Sequence, residues 1–265
     1  MEFPRYETLL LERSGEHVLQ VTLNRPAALN AINTQMGRDQ LDLWTRLAAD
    51  AGGIRCVVLT GTGERAFCAG GDLKERNGMT DAAWRAQHEI FERAFMALVE
   101  CPLPVIAAVN GHAFGGGLEM ALCCDFIYAV GTARFALSEV SLGIMPGGMG
   151  TQNLPRAVGE RRAKELILCA RPFSAAEGLE WGLVNRVCEP AKLLEEALAT
   201  AAAIAGNGPL SVRQAKESIH YGLGMDLMTG YRFEIEAYNR LVDTDDRREG
   251  VRAFNEKRKP RFEGR

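Results

Sequence analysis

Histidine is scarce in this chain, four among 265 residues, and none stands at ligand spacing from another, which argues against a metal enzyme. Paired CxxC spacing is missing as well. The seven cysteines (Cys56, Cys68, Cys101, Cys123, Cys124, Cys169 and Cys188) are odd in number and scattered through apolar sequence, so reduced, mostly buried thiols are expected rather than a zinc or redox centre. Positive charge is not in excess: 31 Lys and Arg face 34 Asp and Glu, a net of −3. No global basic field exists to gather nucleic acid or an anionic membrane. Apolar stretches such as Pro104 to Val109 fall far short of the roughly 20 residues that span a bilayer. The start, Met1-Glu2-Phe3-Pro4-Arg5, lacks the basic, apolar, small-residue order of a secretory signal. A cytoplasmic protein with no membrane partner is expected.

What is present is ordinary globular composition, 47% apolar and 25% charged, which excludes a disordered chain. At roughly 150 residues per domain the length suits one large domain or a core with an appendage. Tyr6 to Leu11 and then Val18, Val21 and Leu23 alternate as a hairpin does, with Ser14-Gly15 between them. Asn33 to Ala49 has helical spacing, and Cys56 to Leu59 is a continuous apolar strand. The unit recurs: Asp81 is the expected N-cap of a helix whose Trp84, His88, Phe91, Phe95 and Leu98 share one face, followed by strand Val105 to Val109. A glycine-rich turn, a short helix from Gly116 to Cys123 and strand Phe126 to Val130 come next. Buried strands alternating with helices predict an α/β fold of ββα units around a largely parallel sheet. After Pro190 only helices are expected: Ala191 to Ala205, Leu210 to Leu223, Asp226 to Val242 and Asp245 to Phe254. The division is a core over 1–190 and a helical region over 191–265, with an oligomer expected from those apolar terminal helices.

The densest anomaly is Asn110-Gly111-His112-Ala113-Phe114-Gly115-Gly116-Gly117-Leu118-Glu119. Three consecutive glycines are entropically costly, and such a turn leaves free N–H groups at a helix N-terminus, suited to an anion or an oxygen that becomes one. The order fits neither a P-loop nor a GxGxxG dinucleotide turn. A second loop, Phe67-Cys68-Ala69-Gly70-Gly71-Asp72, also follows a strand. Facing one another across a crevice, the two could form an oxyanion hole; each alone also fits tight strand-to-helix packing. Glu119, in the first helical turn, and Glu139, before Gly143-Ile144-Met145-Pro146-Gly147-Gly148, are acid–base candidates if they share that crevice, and a dipole-stabilised and a surface glutamate otherwise. A GxSxG nucleophile elbow is missing.

Together these residues resemble the enoyl-CoA hydratase/isomerase, or crotonase, family over nearly the whole chain. The matching motifs are Asn24-Arg25-Pro26 with Leu29-Asn30-Ala31, Ala66 through Glu75, Val105 through Glu119, and Pro146-Gly147-Gly148 to Gly150-Thr151-Gln152, with Asp245 to Lys257 resembling the closing helix. The resemblance implies a crotonase-like spiral of ββα units, a C-terminal helical oligomerisation region, and homotrimers or dimers of trimers. It implies an acyl-CoA thioester substrate, with coenzyme A as part of that substrate rather than a cofactor, and no metal. By motif position it implies Gly71 and Gly116 as N–H donors to the thioester oxygen, Glu119 and Glu139 as the catalytic pair, and Gly147 beside the catalytic water. Ala69 and Lys74 fall at coenzyme A contacts, and Phe254 and Lys257 where the last helix, often a neighbour's, closes over the ligand.

The implied activity is hydration of a 2-enoyl-CoA. Double-bond isomerisation on the same enolate is the rival, and retention of both glutamates favours hydration. Ala27, Leu137 and Met149 depart from common family residues. Phe67 to Arg76, Leu137 with Glu139, and Met225-Asp226-Leu227 with Thr229-Gly230 look more like the 3-methylglutaconyl-CoA hydratase branch, which includes an RNA-binding homologue. The net charge of −3 argues against nucleic acid as a partner.

Overall fold

The computed structural model describes residues 3–265. Strands β1 (Leu9–Ser14) and β2 (Val18–Leu23) pair antiparallel, Leu9 opposite Leu23. Strand β1 begins at Leu9 rather than Tyr6, because the Tyr6 hydroxyl is drawn off to donate to Asp42 Oδ2 at 2.8 Å. Helix α1 (Thr34–Ala49) is capped by the Asn33 side chain, which accepts from the Met36 amide. Strands β3 (Cys56–Gly61) and β4 (Ala66–Cys68) and the single-turn helix α2 (Leu73–Arg76) follow. Helix α3 (Asp81–Val99) is capped by Thr80, whose hydroxyl accepts from Ala83 N. Asp81 is therefore not the cap but the first helical residue, where its charge meets the positive end of the helix dipole.

Strands β5 (Val105–Val109) and β6 (His112–Phe114), helix α4 (Gly116–Cys123), and strands β7 (Phe126–Val130) and β8 (Arg134–Ala136) complete the repeating part. Helices α5 (Gly150–Val158) and α6 (Glu160–Leu168), strand β9 (Phe173–Ser174), helix α7 (Ala175–Glu180) and strand β10 (Arg186–Cys188) then lead to the terminal helices. One sheet has the order β1-β2-β3-β5-β7-β10 and is parallel from β2 onward. The second has the order β4-β6-β8-β9, antiparallel only at β9. Strands β3 and β5 are buried along their whole length, which explains why their sequences are continuous apolar runs rather than alternating ones.

Helix α8 (Leu193–Ala205) lays the buried small residues Ala197, Ala201 and Ala205 on β3 and β5. Helices α9 (Pro209–Gly222) and α10 (Leu227–Val242) pack on each other and expose Ile219, Leu223, Leu227 and Tyr238. Helix α11 (Asp245–Asn255) ties down the C-terminus: Asp246 accepts from Glu263 N and Gly264 N, and Glu249 pairs with Arg252 and Arg258. Arg258, within the basic stretch Lys257-Arg258-Lys259-Pro260-Arg261 near the C-terminus, is thus neutralised in place. Cys169 is exposed and the other six cysteines are buried. Among the described residues no helix is long and apolar enough to cross a membrane, and no group of three or more His, Cys, Asp or Glu is placed to hold a metal ion.

Candidate active site

The two glycine loops leave the carboxyl ends of β4 and β6, which are parallel neighbours, so both emerge on the same side. They touch. Gly70 has φ +92°, and a methyl group on it would stand 2.7 Å from Phe114 O and 3.4 Å from Gly116 N. A methyl on Gly117 would lie 2.1 Å from Cys68 O, so helix α4 packs on β4 at a distance only glycine permits. Gly71 N and Gly116 N donate to no main-chain acceptor in the loops among the described residues; both residues line a cavity of about 550 Å³.

The first loop is braced from behind. Arg25 Nη1 donates to Asp72 Oδ2 at 2.9 Å, and Asp72 Oδ1 caps helix α2 through Lys74 N and Glu75 N. Fully buried Asn30, held at φ +56°, accepts from Arg25 N and donates to Thr62 O and Ala66 O. The Asn-Arg-Pro and Leu-Asn-Ala motifs therefore set the position of the glycine loop.

Glu119 and Glu139 both line the cavity, in different surroundings. Glu119 is buried, and its Oε1 accepts from Gly148 N at 2.7 Å and Gly150 N at 2.8 Å. Burial pushes its carboxyl above the usual range, and these amides, with that of Gly147, pull it back. Both oxygens of Glu139 are buried with no partner. Burial lifts it to about 7, with the charge of Glu119 adding to the rise. Burial raises both carboxyl groups, but only that of Glu119 is opposed by several loop amides, so the two sit in unlike surroundings within one cavity.

The amides on Glu119 come from the loop ahead of α5. Met149 there takes φ +75°, so the chain keeps a turn suited to glycine while carrying a side chain. Gly147 faces His88: a methyl on it would meet His88 Cε1 at 2.7 Å. Ala69 and Gly147 line the cavity, whereas Lys74 is exposed on α2 outside its lining. Phe254, 83% exposed, and Lys257 lie at the end of α11 and are not brought to the cavity within this chain. Trp84, His88, Phe91 and Phe95, legible in the sequence as one helix face, form a wall of the cavity, and Arg76 joins them. The sequence signal was a histidine set in an otherwise aromatic stripe. A groove of about 930 Å³ beside α11 holds charges already paired, Glu249 with Arg252 and Arg258.

The sequence model of the enoyl-CoA hydratase/isomerase family matches residues 13–265. The short-chain-enoyl-CoA hydratase of Clostridium acetobutylicum is 41% identical over 95% of this chain and 95% of its own length. The mitochondrial enoyl-CoA hydratase of Pongo abelii is 38% identical over 97% and 88%. A crystal structure of an enoyl-CoA hydratase from Bacillus anthracis superposes with a TM-score of 0.95 at 42% identity, covering 98% of this chain and 100% of the other. With matches of this extent, the chain belongs to the enoyl-CoA hydratase/isomerase family.

Proposed function

We propose that the protein is an enoyl-CoA hydratase, a hydro-lyase adding water across the 2,3 double bond of an acyl-CoA thioester. The observation that carries this reading is the pair of unlike carboxyl groups, Glu119 and Glu139, sharing one cavity with the N–H groups of Gly71 and Gly116. In the proposed reaction Glu119 takes a proton from water as its oxygen bonds to Cβ, and the π electrons move onto the thioester oxygen. The amides of Gly71 and Gly116 stabilise that charge, a contribution of about 10²–10³ in rate per donor. As the enolate collapses, Glu139 gives its proton to Cα. The two acids have then exchanged states and re-equilibrate through solvent.

The assignment of roles follows the environments. A carboxyl lifted to about 7 retains a proton to donate near neutral pH, and a carboxylate holding two amides is kept as the oriented base. Gly147, in the loop that binds Glu119, is assigned to the water. Ala69 and Lys74 are assigned to coenzyme A, and Phe254 and Lys257 to closing the site of a neighbouring subunit. The exposed apolar residues of α9 and α10 support a trimer or a dimer of trimers, and the chemistry calls for no group beyond the coenzyme A of the substrate.

The test is loss of the conjugated enoyl absorbance when purified protein meets crotonyl-CoA. Rapid loss supports hydration; faster turnover of an unconjugated 3-enoyl-CoA would assign the site to isomerisation instead.

A further inference from the structure

The loop that brings amides to Glu119 has little of its own to hold it. From Met145 to Gly148 no main-chain group bonds to another main-chain group among the described residues, and Gly147 and Gly148 have no side chains to anchor. Consecutive glycines leave such a segment a wide choice of conformations. Contacts from elsewhere must fix it.

Helix α3 makes those contacts. A methyl on Gly147 would stand 2.7 Å from His88 Cε1 and 3.0 Å from Nε2, and one on Gly148 would stand 2.8 Å from Phe95 Cε2. His88 and Phe95 are two turns apart on one helix face, so the loop lies against both rings where no side chain would fit between. The helix behind them is anchored: Phe91 and Phe95 are buried, and buried Gln87 donates to Thr34 Oγ1 and Glu75 Oε2, each at 2.8 Å. Glu92 Oε1, one turn on, lies 3.2 Å from His88 Nε2.

On the other side of the loop is Glu119, whose Oε1 accepts from Gly148 N and Gly150 N. The loop is therefore held between α3 and the carboxyl group assigned as the base. Phe95 belongs to the core, and core packing accounts for it. His88 is half-buried on the cavity wall, where it borders both the substrate space and the loop. Without its ring a gap would open beside Gly147, and a loop moving into that gap would take the amides with it. A displacement of about 1 Å at a reacting group can cost about 10²-fold in rate.

We infer that His88 is a positioning residue for hydration: its ring is the stop against which Gly147 rests, and through that loop it keeps the amides of Gly148 and Gly150 on Glu119. The inference rests on the hydratase reading above and deepens it.

The experiment measures kcat and KM for crotonyl-CoA and 2-decenoyl-CoA in the wild type, His88→Ala, His88→Phe, Glu119→Gln and the double variant of His88→Ala with Glu119→Gln. His88→Ala should lower kcat about 10–100-fold on both substrates with KM little changed, and His88→Phe, which keeps a ring against Gly147, should recover most of the loss. In the Glu119→Gln background His88→Ala should change kcat little, because a residue acting through another adds nothing once that other is gone. An unchanged kcat in His88→Ala overturns the inference, as does a His88→Phe equally slow. So does a loss of the same factor in both backgrounds, which general loosening of the site would give, or one confined to KM or to 2-decenoyl-CoA, which an acyl contact would give. Each of these leaves the hydratase reading standing, whereas a wild type that hydrates neither thioester overturns both. Should His88→Ala fail to fold, His88→Gln, which loses the ring but keeps a side chain, is read by the same measures.

Discussion

Glu119 and Glu139 act on each other through charge while being held in opposite ways: the first by the amides of Gly148 and Gly150, the second by nothing on either oxygen. The consequence is a pH dependence with a defined sign. Hydration needs Glu139 protonated, so kcat/KM for an enoyl-CoA should fall as pH rises through about 7. Dehydration of the 3-hydroxy thioester needs it ionised and should rise through the same range. Rate profiles in both directions check this, and Glu139→Gln should abolish both limbs.

The same carboxyl carries a stability cost. Its value of about 7 in the fold stands above the ordinary 4.5, so the native state disfavours the ionised form and loses stability as pH climbs from the lower value through the higher. Glu139→Gln should raise the thermal midpoint at pH 8 and give no gain at pH 4, measured by calorimetry. A residue that weakens the fold while serving the site is the trade expected where function sets the choice.

Replacing either acid should remove a proton-transfer group worth about 10²–10⁴ in rate. Glu119→Gln and Glu139→Gln should each lose kcat on that scale while retaining coenzyme A binding, which titration calorimetry with an unreactive acyl-CoA can follow. Full activity in either variant would refute its role.

Gly117→Ala should destabilise the fold rather than the chemistry alone. The added carbon would stand 2.1 Å from Cys68 O, main chain that cannot swing aside, so helix α4 must shift off β4 at a cost of about 1–3 kcal/mol or more. Asn30→Ala removes three hydrogen bonds at a left-handed backbone position and should cost about 2–4 kcal/mol. Urea unfolding gives both values.

Much of this was legible in the sequence, and the exceptions have physical reasons. Helix α4 could be placed from Gly116 to Cys123 because the triple glycine marks a turn after an apolar strand, and the apolar stretch Leu118 to Cys123 that follows is made largely of helix-favouring residues. Thr80 and Asp81 are both capping types side by side, and only the geometry of Ala83 N decides between them. Glu139 looks like a surface residue because its neighbours Ser138 and Ser141 are polar; its burial comes from the distant elements around the cavity, which local patterning does not encode. The face formed by Trp84, His88, Phe91 and Phe95 was plain from its spacing, but periodicity shows only that a face is covered, and a core and a substrate cavity cover it alike. Arg76 falls inside the Phe67 to Arg76 resemblance, but nothing in the sequence singles out its side chain as part of the cavity wall. Its neighbours Lys74 and Glu75 are charged, and a charged turn of helix ordinarily faces solvent.

The most direct test of the account is a crystal structure with a bound, non-hydrating acyl-CoA such as acetoacetyl-CoA. The account predicts the thioester oxygen at about 3 Å from both Gly71 N and Gly116 N, with the carboxyl groups of Glu119 and Glu139 beside Cα and Cβ. A thioester oxygen bound away from those two amides, or an acyl chain that leaves either glutamate out of reach, would contradict it.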